Sequence, residues 1–274
     1  MDLVFSKLGK KHEYKTQYDP KLLFPIPRIV KREELGIKGI PNFCGLDIWT
    51  GFEISWLNMK GKPQVRISVF EINALSECLI ESKSLKLYFN SFNSTCFKND
   101  EEVIKIMQKD LSKATNSEVS VKFYLLKDYP VAISNQFIAE SIDDLDIEIT
   151  EYMINHSFLK VDANIKVHER LSSDLLKSNC LVTFQPDWGS ILIDYEGRKI
   201  NRKGLLKYLI SFRNHNEFHE QCVERIYNDI MQFCQPEKLL VYARYTRRGG
   251  LDINPIRSNF TFSPEQKKLR LVRQ

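Results

Sequence analysis

The sequence predicts an α+β protein in which antiparallel sheets are backed by helices. Two observations carry that prediction. Strand-like and helix-like stretches come in blocks: strands, one helix and a strand in the first half, then strands, two helices and two strands in the second. Such blocks fit two similar layers of helix on antiparallel sheet. No G-x-G-x-x-G follows a strand anywhere, which excludes a Rossmann fold. The length of 274 residues makes one large domain or two small ones, at about 150 residues per domain.

Residues 1–45 read as an extended arm, because Pro20, Pro25, Pro27 and Pro41 interrupt any long periodic element. A first unit follows over 46–139. Its strands are read at 46–56, 65–70, 85–89 and 119–126, and its helix at 99–114. Asn99 is the expected N-cap, the acids Asp100, Glu101 and Glu102 fill the first turn, and Val103, Ile106, Met107 and Leu111 form one stripe. Residues 140–151 are strongly acidic and lack a period, and read as a connection. The second unit spans 152–274. Short strands at 181–184 and 191–195 flank an expected turn at Pro186-Asp187-Trp188-Gly189. Helices are expected at 202–212 and 217–233, the second capped by Asn216, with Phe218, Cys222, Ile226, Ile230 and Cys234 as a continuous apolar stripe. A strand at 238–245, a turn at Arg248-Gly249-Gly250 and an extended piece close the chain.

Composition narrows the class. Hydrophobic residues make up 43% and charged residues 27%, an ordinary globular balance that excludes collagen-like, coiled-coil and broadly disordered chains. No run of 18 apolar residues exists and no export signal opens the sequence, so a cytoplasmic protein with no membrane partner is expected. The net charge of +5 suits an anionic small ligand as well as nucleic acid. Basic residues are interspersed with acids, and the basic run at 267–273 reads as a solvated tail. None of the six cysteines forms a CxxC pair. A reducing compartment argues against disulfides, and most of the six should be small buried hydrophobes.

Several residues can carry chemistry. Cys180 precedes a strand and Asp187 lies seven residues on; spacing alone favours a core cysteine and a turn aspartate, the alternative being a nucleophile and its proton donor. His219 and Glu220 open a helix off its apolar stripe. A neutral imidazole beside a carboxylate can recognise a planar heterocycle; the alternative is a solvated helix start. Cys180, His219 and Cys222 offer three zinc ligands, although Cys222 shares the apolar stripe. The segment Glu81–Lys86 mixes an acid, two hydroxyls and two lysines at an expected strand start. Arg247-Arg248-Gly249-Gly250 sets two guanidinium groups beside a flexible turn, a composition suited to phosphate and also common at hairpin tips.

Taken together, these segments resemble the NADPH-dependent 7-cyano-7-deazaguanine reductase family, the nitrile reductases of queuosine biosynthesis, in its long two-unit form. The resemblance rests on Glu81-Ser82-Lys83-Ser84-Leu85-Lys86-Leu87-Tyr88, Ser178-Asn179-Cys180, Gln185-Pro186-Asp187-Trp188-Gly189, Asn216-Glu217-Phe218-His219-Glu220-Gln221-Cys222 and Tyr245-Thr246-Arg247-Arg248-Gly249-Gly250-Leu251-Asp252. It extends into the arm at Leu22–Arg28 and covers nearly the whole chain. It implies tandem tunnelling-fold units, the fold shared with GTP cyclohydrolase I. It also implies a mechanism. Cys180 would attack the nitrile carbon to give a covalent thioimidate, and Asp187 would donate the proton. Glu220 and His219 would hold the deazaguanine, with Ile80, Glu81 and Ser82 lining the other side and Phe218 closing over the pocket. Ser82, Lys83, Arg248 and Gly249 would contact NADPH, two of which are used per turnover. No metal takes part, no nucleic acid is bound directly, and the long form implies a homodimer. Two other readings are a zinc-dependent purine-ring hydrolase of the GTP cyclohydrolase I type and a basic, non-catalytic RNA-binding module.

Overall fold

A hairpin, two helices and a further strand recur twice along the chain. The computed structural model describes residues 15–130, 132–181, 183–262 and 269–274. The described residues fall into two compact units: one holds those up to Glu34, Leu46–Pro130 and Arg247–Ile253, the other Leu35–Gly45, those from 131 to Thr246, and Asn254–Gln274.

In the first unit, β1 (Pro25–Pro27) and α1 (Arg28–Glu34) precede β2 (Cys44–Leu57), β3 (Pro63–Asn73), β4 (Cys78–Ile80), α2 (Ser82–Asn90), α3 (Asp100–Thr115) and β5 (Val119–Tyr124). The sheet order is β5-β3-β2, and β1 pairs antiparallel with β4. Helix α3 forms as the sequence predicts. The Asn99 side chain accepts the Glu102 N–H at 3.0 Å, which satisfies one orphan donor of the first turn. Val103, Met107 and Leu111 are fully buried against Trp49, Phe70, Leu85 and Phe89. Each such side chain contributes about 1.5–3 kcal/mol by leaving water.

The second unit contains β6 (Ala132–Ser134), β7 (Glu140–Ser141), β8 (Val161–Asn179), β9 (Pro186–Ile200), α4 (Arg202–Ile210), α5 (His219–Cys234), β10 (Lys238–Tyr245), β11 (Leu251–Ser258, its first residues counted in the other unit) and β12 (Leu269–Leu271). Its strand order is β11-β10-β9-β8-β7. The predicted stripe of α5 is realised: Cys222, Ile226, Ile230 and Cys234 are buried.

Side-chain bonds repeat between the units. The Tyr88 hydroxyl donates to Asp110 at 2.8 Å and the Tyr208 hydroxyl to Asp229 at 2.6 Å. Ser91 and Ser211 each donate to the carbonyl three residues earlier at 2.6 Å. The α+β architecture with antiparallel sheets and helices is therefore the one the sequence predicts.

Several local expectations are corrected. Residues 85–89 lie in a helix, not a strand. Leu85, Tyr88 and Phe89 face the core at helical spacing, and Glu81 caps the helix. The arm is not wholly extended, since α1 follows Pro27 and its buried Arg28 pairs with Asp47. Pro186–Gly189 is not a turn but the start of β9. Proline is tolerated at a strand's first residue, and the turn falls at 180–185. Phe218, not Asn216, is the N-cap of α5. Cys180, Cys222 and Cys234 are buried, while Cys44 and Cys96 are exposed and Cys78 half-buried, so half of the cysteines rather than most are core residues. Of the basic run at the end, residues 267 and 268 lie outside the described residues. Leu269–Leu271 pairs with β6 and buries Leu271, so that part is no free tail.

Candidate functional site

The residues singled out from sequence fall into two groups, one in each unit. In the second unit, β8 and β9 form a long hairpin with Asn179 opposite Pro186 and Ser178 opposite Asp187. Cys180 is the first residue of the tip. Its N–H donates to the Gln185 carbonyl at 2.8 Å and its carbonyl accepts the Phe184 N–H at 3.0 Å. Phe184 has φ +57° and its ring is exposed, an uncommon backbone region for a bulky residue. Cys180 itself is 8% exposed.

The segment leading into α5 docks on the same hairpin end. Asn179 N–H donates to the His215 carbonyl at 2.8 Å, and Glu217 N–H donates to the Asn179 carbonyl at 3.0 Å. This backbone ladder delivers the first turn of α5 to the cysteine strand. His219 and Glu220 are both buried there. His219 Nε2 lies 3.2 Å from Asp187 Oδ1, and the imidazole stacks on Tyr245 with ring centroids 3.9 Å apart at 8°. Gly189 leaves room for that stack, because a Cβ there would meet the Tyr245 ring at 3.2 Å. The structure thus brings Cys180, Asp187, His219 and Glu220 to one end of one unit.

Cys222 does not join them as a ligand. It is fully buried on the apolar stripe, and burial pushes its thiol up to about 12. Among the described residues no three His, Cys, Asp or Glu side chains converge as a metal site would require.

The first unit holds the other group. Ile80 is buried in β4 and Glu81 caps α2. Glu81 accepts the Lys83 N–H at 2.8 Å and the Ser84 N–H at 2.7 Å. Burial raises its carboxyl above the ordinary value, against the lowering effect of those two bonds. Ser82 and Lys83 are half-buried in the first helical turn. Arg248 closes the hairpin tip by exchanging backbone bonds with Leu251 at 2.9 and 3.1 Å. Gly249 and Gly250 take φ +58° and +78°, which glycine adopts without a Cβ clash. A Cβ on Gly249 would lie 3.1 Å from Lys86 Cδ, so the glycine turn runs against α2. Lys86 pairs with Glu53 at 3.7 Å; Lys83, Lys86, Arg248 and Ser82 are residue types suited to phosphate.

Sequence reasoning placed Lys86 on a strand edge and assigned no role to Tyr245, Glu217 and Arg225. Reading α2 as a helix would have set Lys86 on the face of Ser82 and Lys83, at i+4 and i+3. No local signal marks Tyr245 as a ring platform.

Comparison with known proteins gives the family. The sequence profile described as "Nitrile reductase, 7-cyano-7-deazaguanine-reductase N-term" matches residues 14–123, and that described as "QueF-like protein" matches residues 186–263. The NADPH-dependent 7-cyano-7-deazaguanine reductase of Hydrogenovibrio crunogenus is 57% identical, covering 98% of this chain and 96% of that one. The protein of that name from Legionella pneumophila (strain Corby) is 55% identical over 98% and 95%. The apo crystal structure of the archaeosine synthase QueF-Like aligns at TM-score 0.31 and 15% identity, covering 38% of this chain and 100% of that one; at that score the likeness carries no argument. The class is that of the nitrile reductases, which are oxidoreductases. Within it, the chain belongs to the NADPH-dependent 7-cyano-7-deazaguanine reductase family.

Proposed function

We propose that this chain reduces the nitrile of 7-cyano-7-deazaguanine to the aminomethyl group for tRNA queuosine biosynthesis, through a covalent bond to Cys180. The observation that carries the reading is the buried convergence in the second unit. The thiol sits at the hairpin tip, and the Asp187–His219 pair at 3.2 Å lies on the strand and helix docked to that tip.

A nitrile is a poor hydride acceptor, and covalent addition divides one hard step into easier ones. The Cys180 sulfur adds to the nitrile carbon, forming an S–C bond and breaking one C–N π bond. Asp187 supplies the proton to the nitrogen, which gives the thioimidate. The proton the thiol gives up restores Asp187; bound NADPH would supply a hydride to that carbon in each of two reductions, and the nitrogen would take up one proton from solvent each time. Between the two reductions the C–S bond of the thiohemiaminal breaks, the thiol is restored and an imine remains. Cys180, Asp187, His219 and Glu220 are all nearly excluded from solvent, which shelters the imine from hydrolysis. The Glu220 carboxylate accepts from the amino group and ring N–H of the deazaguanine, and His219 completes that contact; the resemblance assigns Ile80, Glu81 and Ser82 to the substrate as well. Phe218 closes the pocket.

Ser82, Lys83, Arg248 and Gly249 hold NADPH, with the guanidinium selecting the extra phosphate over NADH. No step in this scheme uses a metal. The two sequence units, 46–139 and 152–274, are the two halves of the long form, which acts as a homodimer in the cytoplasm and binds no nucleic acid directly. Among the described residues, no helix is long and apolar enough to cross a membrane.

The test follows NADPH absorbance with and without the cyano substrate, and intact mass without NADPH. Two equivalents oxidised per substrate, and a mass adduct that disappears in Cys180→Ala, are expected. Turnover retained by Cys180→Ala overturns the covalent route.

A further inference from the structure

The second unit carries a buried charge cluster that the reaction scheme leaves idle. Glu217 is 2% exposed, and three nitrogens of two side chains surround its carboxylate. Arg225 donates from Nε at 3.0 Å and from Nη2 at 2.8 Å, and His215 Nε2 lies 3.1 Å away. Burial alone would raise this carboxyl, but the bonds and charges of His215 and Arg225 outweigh it and hold it below its ordinary value. Glu217 joins two elements at once. Its backbone N–H holds Asn179, the residue before Cys180. Its side chain holds Arg225, on the helix whose first turn carries His219 and Glu220.

The first unit has the same ladder without the charges. Leu57 N–H donates to the Thr95 carbonyl at 3.0 Å, and Phe97 N–H donates to the Leu57 carbonyl at 2.9 Å. Phe97 stands where Glu217 stands, packed on Phe92 at 5.5 Å between ring centroids. An apolar residue therefore suffices to build this junction. A buried ion pair is weak evidence for stability, because desolvation offsets most of the Coulomb gain. Fold alone does not explain the cluster.

We propose that Glu217, clasped by Arg225 and His215, is a positioning residue that fixes the Cys180 sulfur relative to the first turn of α5. The proposal rests on the nucleophile reading above. Covalent addition requires the sulfur and the held substrate within a narrow range of distance and angle, and the substrate is held by residues on α5. Neutral packing tolerates a sliding junction, whereas the bidentate Arg225 fork fixes both distance and plane. In this way the clasp serves the attack step and not the affinity for substrate.

The experiment measures adduct formation on Cys180 in a single turnover without NADPH, for wild type, Glu217→Gln, Arg225→Lys and the combined variant. Substrate affinity is measured separately by calorimetry in the Cys180→Ala background. Each single variant should slow adduct formation by about 10- to 100-fold, the scale for misplacing a reacting group by about an ångström. The dissociation constant should move by less than about threefold, and the combined variant should be little slower than the worse single one, as expected for groups acting as a unit. Arg225→Lys keeps the charge and loses the fork, so it tests positioning even where Glu217→Gln folds poorly. Wild-type adduct rates in a folded Arg225→Lys, or losses seen only in affinity, overturn the clasp. A wild-type protein that turns over without any adduct overturns the nucleophile reading, and the clasp with it.

Discussion

The hairpin ending at Leu57–Pro63 and the one ending at Asn179–Pro186, whose tip is one residue longer, are closed by corresponding backbone bonds and equipped for different purposes. Asn58 N–H donates to the Lys62 carbonyl at 2.9 Å, as Cys180 N–H does to Gln185 at 2.8 Å. Gly61 N–H returns to the Asn58 carbonyl at 2.9 Å, as Phe184 N–H does to Cys180 at 3.0 Å. The side chains then diverge. Asn58 Oδ1 closes its own turn by accepting the Lys60 and Lys62 N–H groups at 2.9 and 3.0 Å, a self-satisfied Asx turn. Cys180, in its place, has a thiol with no such structural duty. Where the second unit starts its strand with Pro186-Asp187, the first has Pro63-Gln64. At the helix start, Asp100 is held by the Arg66 fork at 2.6 and 2.8 Å, whereas His219 faces Asp187. Backbone geometry common to both units sets where groups can stand, and a few substitutions decide which unit carries chemistry.

The most severe test of that comparison gives the second hairpin the first one's residue. In Cys180→Asn, turnover should fall by about 10⁴-fold or more, the scale for removing a nucleophile. The fold should hold, because the bonds at residue 180 that close the tip come from its backbone N–H and carbonyl, which the substitution keeps. NADPH absorbance and a melting curve check both halves. Activity within about tenfold of wild type would remove Cys180 from the reaction, since even one lost general acid costs more than that.

A second contrast sets two buried glutamates against each other. Glu81 in the first unit is raised above the ordinary 4.5 by burial, only partly offset by its helix-cap bonds. Glu217 in the second is lowered, because its cations outweigh burial. The signs are opposite. For Glu217 the stabilising contribution is present above 4.5 and is lost as pH falls through the lowered folded value. For Glu81, stability is greatest below 4.5 and is lost as pH rises through the raised folded value. At pH 7, then, Glu217→Gln should melt lower than wild type and Glu81→Gln higher. Both differences should shrink as the pH falls into the acid range. Glu81→Gln should also bind the deazaguanine more weakly, so a loss of both stability and affinity there would contradict the sign derived for its burial.

The contrast also explains which elements the sequence reveals. Helix α3 announces itself because Asn99 is a standard cap followed by three acids and an apolar stripe. Helix α2 does not. Its cap is Glu81, not one of the usual short side chains, and Leu85-Lys86-Leu87 alternates like a strand. The start of α5 is misplaced by the same logic, since Phe218 caps without a side-chain bond and Asn216 is spent on the ladder to Asn179. Strand β8 escapes notice over 161–170 because most of those residues are exposed, which erases the apolar–polar alternation. Cys180, Asp187, His219 and Glu220 are candidates in the sequence whose roles come from the family resemblance, since spacing alone fits a core cysteine, a turn aspartate and a solvated helix start; they meet in one unit. The Arg225–Glu217 clasp is not legible in the sequence, because a charge at i+8 has no meaning until the ladder to Asn179 is known.

Phe184 against Gly61 gives the smallest expected effect. Both close their tips with positive φ, +57° and +75°. Gly61 does so without strain, whereas a residue with a Cβ loses about 1–2 kcal/mol there. The Phe184 side chain is 68% exposed, so little packing is forfeited on truncation. Phe184→Gly removes the strain but adds about 0.5–1 kcal/mol of unfolded-chain entropy. The net should be a gain of up to about 1 kcal/mol, near 2–4 °C for a chain of this size. A urea titration at fixed m value measures it. Destabilisation instead would show that the ring is held at the tip by contacts stronger than its backbone strain, and that the aromatic, rather than the turn alone, shapes the approach to Cys180.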